Sequence, residues 1–212
     1  MKIALIGMST VGKSYWSEKL ATTGFERIDL DGIIARYFDK RVGTSQSQIL
    51  ASMSQWLGLP HEAHFAEKEQ IFKQYEEDAL KYAISVLEKK GKDARVIVDT
   101  GGSLVYVSPQ YWQLFKQYVH IVYLKMDEKK HQTLIDNYLR EPRAMLWNGC
   151  FDPQNGESLH QTYSRCYPNL VKRREKEYDI YADCTIEYET HRDRQLTTAA
   201  FLKIIGLNTE NH

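Results

Sequence analysis

Gly7-Met8-Ser9-Thr10-Val11-Gly12-Lys13-Ser14 sets two glycines five residues apart, with a lysine and a serine directly after the second. In such a run the glycines let successive backbone N–H groups turn inward toward phosphate oxygens, and a helix starting at its end adds the positive pole of its dipole. Lys13 would reach the β- and γ-phosphates of a nucleotide and stabilise charge during transfer. The Ser14 hydroxyl would join the shell of a magnesium ion bridging those phosphates. The chemistry this run implies is phosphoryl transfer from ATP with Mg2+, a Walker A phosphate loop.

Other residues could complete that chemistry. Asp29 and Asp31 stand at alternate positions of an extended segment and so point the same way, one suited to magnesium-bound water and the other to an acceptor hydroxyl. Asp31 is also a good helix cap before Gly32-Ile33-Ile34. Gly101-Gly102-Ser103 follows a buried strand, where paired glycines let backbone approach a ligand closely; a plain tight turn fits the same residues. Arg140, Arg143, Arg165, Arg173 and Arg174 gather around a turn-rich stretch, and a guanidinium there could close over ATP or clamp an acceptor carboxylate, although most surface arginines only solvate a face. His61-Glu62-Ala63-His64 lacks the spacing of a zinc-binding helix. Trp56 and Trp112 lie in amphipathic patterns as core or interface residues, whereas Trp147 lies inside the turn-rich stretch, where contact with a ligand is open to it.

The elements that must position these residues alternate in type. Strands are expected at Ile3 to Ile6, Phe25 to Leu30, Arg95 to Asp99, Tyr118 to Leu124 and Asp183 to Tyr188. Helices are expected from Ser14 to Leu20, Gln48 to Leu57, about His61 to Lys89, Pro109 to Lys116, Glu128 to Leu139, Leu159 to about Ala182 and Arg192 to Ile205. Alternation of β and α units predicts a parallel sheet flanked by helices, one α/β domain over 1–207, with a helical excursion over about 32–90. Gly149, Asp152-Pro153 and Asn155-Gly156 make 141–160 a mobile loop, and 208–212 a frayed tail.

Composition narrows the partners. Lys plus Arg and Asp plus Glu each number 28, so the balanced charge offers no global attraction to nucleic acid or anionic membrane. A charged small-molecule substrate must therefore be met locally. Four consecutive apolar residues before Gly7 fall short of a signal or spanning segment, which makes a cytoplasmic location the expectation. Cys150, Cys166 and Cys184, without a CxxC pair, read as reduced thiols. Oligomeric state leaves no mark in this pattern.

In order and spacing, the phosphate loop, Asp-x-Asp after the second strand, Gly-Gly after the third and an arginine-bearing lid resemble shikimate kinase over nearly the whole chain. Glu141-Pro142-Arg143-Ala144-Met145-Leu146 is similar to that family's lid, and Arg174 preceding Tyr178-Asp179-Ile180-Tyr181-Ala182-Asp183 to its later substrate stretch. The resemblance implies a three-layer P-loop kinase fold with a mostly parallel five-stranded sheet, a substrate-binding helical excursion and a lid. It implies a nucleotide loop of Gly7, Met8, Ser9, Thr10, Val11, Gly12, Lys13, Ser14 and Tyr15, with Asp29 and Ser14 toward magnesium and Asp31 toward the acceptor hydroxyl. It also puts Gly101, Gly102 and Ser103 at the substrate, Arg143 on the nucleotide and Arg174 on the substrate carboxylate.

This chain departs from the family in several places. Phe72-Lys73-Gln74-Tyr75-Glu76 carries Lys73 where the family has a substrate-binding arginine, so a point charge replaces a bidentate fork. Ser103 replaces a third glycine and Tyr15 a threonine, and the segments near 40–60 and 144–165 are longer. Ile28 to Arg36 also resembles the strand-to-helix turn of dephospho-coenzyme A kinase. The expected activity is transfer of the ATP γ-phosphoryl group to a hydroxyl of a small anionic metabolite, shikimate first. The alternatives are a dephospho-coenzyme A kinase-like or other small-molecule kinase and a nucleotide-binding regulator without transfer.

Overall fold

The computed structural model describes residues 1–42 and 49–207. Strands β1 (Lys2–Ile6), β2 (Glu26–Asp29), β3 (Val96–Asp99), β4 (His120–Leu124) and β5 (Cys184–Ile186) form one sheet in the order β2-β3-β1-β4-β5, every pairing parallel. The central strands are nearly continuous apolar runs because helices cover both faces; Ile3, Leu5, Ile97, Val98, Ile121 and Val122 are fully buried. The chain leaves β1 for β2 on one side and later places β4 on the other. The loops after β1 and β3 therefore open a crevice at the carboxyl ends of the strands, where parallel sheets bind ligands.

Helix α1 (Lys13–Ala21) follows β1 directly, and α2 (Leu30–Val42), α3 (Ile49–Leu57) and α4 (Phe65–Lys89) form the excursion between β2 and β3. Helix α5 (Pro109–Lys116) precedes β4; α6 (His131–Arg140) and α7 (Leu159–Tyr181) precede β5; α8 (Tyr188–His191) and α9 (Thr198–Ile204) close the described chain. The expected helix over Arg192 to Ile205 is shorter and has α8 before it, because Thr197 caps α9 by accepting from the Ala200 N–H. Gln48, which was to open α3, and the tail 208–212 lie outside the described residues. Among the described residues no helix is long and apolar enough to cross a membrane.

Helix α4 turns Tyr75, Ala79, Leu80, Ala83 and Leu87 inward at helical spacing, and the same face buries Glu69 and Glu76. A carboxyl on a core stripe is costly unless it is partnered, so both positions call for a chemical reason. For Glu69 the reason is structural. Its Oε1 accepts the backbone N–H groups of Trp147 and Asn148 at 2.5 and 2.8 Å, and thereby pins the turn-rich stretch to α4.

That stretch holds many contacts for a segment without regular structure. Trp147 is 1% exposed and sits among Tyr138, Phe151, Tyr163 and Tyr167, with Tyr138 stacked on Tyr167 at 4.0 Å. Arg165 forms a fork with Glu157 at 2.7 Å to each oxygen. The ligand contact that the sequence left open to Trp147 is not what the structure shows; its ring is a core element.

Candidate functional site

The loop between β1 and α1 is shaped by three residues with positive φ: Gly7 at 141°, Thr10 at 67° and Gly12 at 116°. A Cβ on Gly7 would lie 2.6 Å from the Leu124 carbonyl oxygen, so only glycine lets this turn nest against the end of β4. Gly12 occupies the N-cap of α1 and offers no side-chain oxygen, which leaves the first N–H groups of the helix available to an outside anion. Lys13 is 7% exposed, and its Nζ donates to the carbonyls of Gly7 and Met8 at 2.9 Å each. Burial lowers its pKa to about 8, opposed by the charges of Asp31 and Asp99. A small cavity of ≈ 190 Å³ lies over this loop, bounded by Ser9, Thr10, Lys13, Ser14, Asp31 and Gly102. Ser14 is exposed in the first turn of α1, and Tyr15 is half exposed beside the cavity, edge-on to Trp16. A group of concentrated negative charge fits the cradle, since freed N–H groups and an ammonium converge on it.

Asp29 and Asp31 do not share a direction. The helix begins at Leu30, so the strand alternation that would have aligned them ends at Asp29. Asp29 is the cap: its Oδ1 accepts the Gly32 N–H at 3.0 Å, and its Oδ2 lies 3.7 Å from Arg27. Asp31, the cap considered from sequence, instead stands in the first helical turn and opens toward the cleft. Enclosure by the cleft walls raises its pKa, with Lys13 opposing and Asp29 and Asp99 reinforcing.

Asp99 is a residue that sequence reading passed over. It ends β3 in register with Asp29, is 4% exposed, and accepts from Arg27 Nη2 at 2.7 Å and from Ser17 Oγ at 3.0 Å. The signal was present, since an apolar strand, Val96-Ile97-Val98, ends in it beside the phosphate-loop strand. Among the described residues no three His, Cys, Asp or Glu side chains converge to hold a metal alone. Ser14 and the nearby carboxylates could therefore complete a magnesium shell only together with phosphate oxygens and water, the usual habit of that ion.

A larger cleft of ≈ 700 Å³ shares Ser9, Thr10, Asp31 and Gly102 with the small cavity. Its floor is the turn after β3. A Cβ on Gly101 would lie 2.9 Å from Asp31 Oδ1, and one on Gly102 would lie 3.3 Å from the Ser9 nitrogen and 3.7 Å from Arg174 Nη1. The Tyr178 hydroxyl donates to the Gly102 carbonyl at 2.5 Å, which ties α7 to this floor. Arg174 is 4% exposed, donating from Nε to Tyr106 at 3.2 Å and from Nη2 to the Leu146 carbonyl at 2.7 Å. Ser103 lines the cleft and meets Glu76, another residue unassigned from sequence.

The remaining cations are distributed differently. Lys73 turns away from the cleft: its Nζ donates to Asn148 Oδ1 at 2.6 Å and lies 3.9 Å from Glu69. Arg143 borders the cleft with a 73% exposed side chain, its partner the equally open Glu141 at 3.6 Å. Arg140 bonds Asn137, Arg173 donates to the Asn148 carbonyl at 3.1 Å, and Arg165 belongs to the Glu157 fork. Of the five arginines, Arg174 is buried at the cleft wall, while Arg143 and Arg140 stand at its rim.

Neither a protein-family model nor a curated protein matches the sequence. Solved structures do match in shape. A shikimate kinase from Acinetobacter baumannii in complex with shikimate superposes with a TM-score of 0.52 at 19% identity, covering 95% of this chain and 87% of that one. A shikimate kinase from Bacteroides thetaiotaomicron gives a TM-score of 0.54 at 15% identity, covering 98% and 99%. The chain has the three-layer P-loop kinase fold seen in shikimate kinases, as its motif order implied.

Proposed function

We propose that this chain transfers the γ-phosphoryl group of ATP to a hydroxyl of a small anionic metabolite, with shikimate, the ligand of the Acinetobacter neighbour, as the first acceptor to test. The observation that carries the reading is Asp31, a carboxylate at the junction of the two cavities and within the field of Lys13. A phosphate held by the cradle and a hydroxyl held in the larger cleft would meet there.

In this reading the N–H groups of residues 7–14 bind and orient the phosphates, and Lys13 leaves its carbonyl partners for the transferred oxygens. Ser14 would hold magnesium, with Asp29 toward the water of its shell; that ion, when bound, would neutralise charge on the phosphates. Asp31 accepts the proton of the acceptor hydroxyl, a task helped by a pKa raised toward the working range. Arg174 meets the acceptor's negative group and Arg143 approaches the nucleotide from the rim.

The test is a metabolite panel with ATP and magnesium, run on the wild type, Lys13→Ala and Asp31→Asn. The wild type phosphorylates an acceptor, Lys13→Ala does not, and Asp31→Asn loses about 100- to 10,000-fold in kcat with a nearly unchanged acceptor KM. Near-normal transfer by Lys13→Ala refutes the reading. A second reading, nucleotide binding without transfer, draws on Lys73 being engaged by Asn148 rather than the cleft. ATP binding with no phosphorylated product across the panel selects it.

A further inference from the structure

Ser103 Oγ and Glu76 Oε1 are 2.5 Å apart, a contact in which either oxygen can carry the shared hydrogen. Ser103 faces the larger cleft, whereas Glu76 is 2% exposed beneath it. The second carboxyl oxygen of Glu76, Oε2, is buried without a hydrogen-bond partner among the described residues. The charged and titratable groups around Glu76 are Asp31 from α2, Arg174 and Tyr178 from α7, and Lys73 from its own helix. Lys73 is occupied elsewhere by Asn148.

A buried carboxylate with one unmatched oxygen is an expensive ion, whereas a carboxylic acid in the same place leaves only a carbonyl oxygen unmatched. Burial accordingly lifts Glu76 to about 8, Asp31 adding to the effect and the Ser103 bond and Arg174 opposing it. As an acid Glu76 donates to Ser103 Oγ, and the serine's own hydrogen is then free to point into the cleft. As a carboxylate Glu76 takes that hydrogen for itself. Ser103 follows Gly102, against which Arg174 Nη1 lies, so both donors face the same region.

We propose that Ser103, oriented by Glu76, donates its hydroxyl to the anionic group of the acceptor beside Arg174, and so supplies a second donor that Lys73 does not. Ser103 is the recognition residue and Glu76 a positioning residue that acts through it. The proposal rests on the reading of the larger cleft as an acceptor site. It predicts a preference for acceptors whose negative group is small enough to be shared by one guanidinium and one hydroxyl.

The experiment measures kcat and KM for shikimate, or for the acceptor returned by the panel, from pH 6 to 9 in the wild type, Ser103→Ala and Glu76→Gln. Carboxyl-labelled glutamate is followed by NMR in parallel. Ser103→Ala raises acceptor KM about tenfold or more, as loss of a hydrogen bond to a charged group does, and leaves the KM for ATP unchanged. Wild-type acceptor KM climbs above pH 8 as Glu76 ionises; Glu76→Gln, whose amide can donate to Ser103 and does not ionise, keeps a flat profile. If Ser103→Ala fails to fold, Ser103→Gly carries the same expectation. The proposal is overturned by an unchanged acceptor KM in the serine variant, by a Glu76→Gln profile that tracks the wild type, or by a Glu76 resonance titrating in the ordinary carboxylate range. A wild type that phosphorylates no acceptor overturns the kinase reading and the Ser103 role together. An active wild type with an indifferent serine variant overturns the Ser103 role alone.

Discussion

Replacing Glu76 by Gln should stabilise the protein, by an amount that grows with pH. In the unfolded chain this carboxyl ionises near its ordinary value of 4.5, whereas in the fold burial holds its proton up to about 8. Between those values the native state binds one proton more than the unfolded state, so stability falls as pH rises. The contribution of the neutral acid is whole below about 4.5 and is lost as pH climbs through about 8. At about 1.4 kcal/mol for each pH unit in that window, the loss is about 3 kcal/mol at pH 7 and about 5 kcal/mol above pH 8. Glutamine keeps the shape and a donor toward Ser103 but has no proton to lose. Lys13 is shifted in both proteins, so its contribution cancels in the difference, and the repulsion from Asp31 is already part of what raises Glu76. Urea unfolding at pH 5.5, 7 and 8.5, followed by tryptophan fluorescence, should show the variant ahead by a margin that widens by a few kcal/mol across the series. Parallel stability profiles, or a variant weaker than the wild type at pH 8.5, refute the burial argument.

Other perturbations test separate parts of the structure. Trp147→Ala removes a fully buried ring from the aromatic cluster and should cost about 3 to 5 kcal/mol in chemical denaturation; a loss under 1 kcal/mol would mean the 141–160 segment is not docked as described. Arg27→Met leaves Asp99 buried with Ser17 as its remaining partner and should destabilise by about 3 to 5 kcal/mol at pH 7, while adding Asp99→Asn recovers most of the loss. Without that recovery the ion pair is not the cause. Gly102→Ala puts a methyl group 3.3 Å from the Ser9 nitrogen where the two cavities join, and should lower kcat/KM about a hundredfold with a small change in melting temperature. Equal loss of folding and activity would instead make Gly102 a structural position.

The phosphate loop was legible because its chemistry is local. Positive φ at Gly7 and Gly12, the helix that starts at Lys13 and the strand before it are all written within a dozen consecutive residues. The five strands and their parallel pairing were legible for a related reason, since period, apolar runs and the alternation with helices record which faces are buried, whereas their order across the sheet came only with the structure. The two aspartates were harder. Alternation predicted a shared direction, but one residue's difference in where β2 gives way to α2 turned Asp29 into a cap and left Asp31 to the cleft. The stretch after Glu141 lacks regular structure, as its turn residues implied, yet Glu69, Arg174 and an aromatic cluster hold it in place.

By itself, the sequence determined the fold class, the anion cradle and the positions at which strands deliver side chains to one edge of the sheet. Only the tertiary structure decided that Lys73 serves Asn148, that Arg174 alone of the five arginines is buried at the cleft, and that Glu76 sits under Ser103 with an unmatched oxygen. The division has a physical basis. Backbone conformation follows from neighbouring residues, whereas the charge state and direction of a side chain depend on the water it loses and on partners brought from distant parts of the chain.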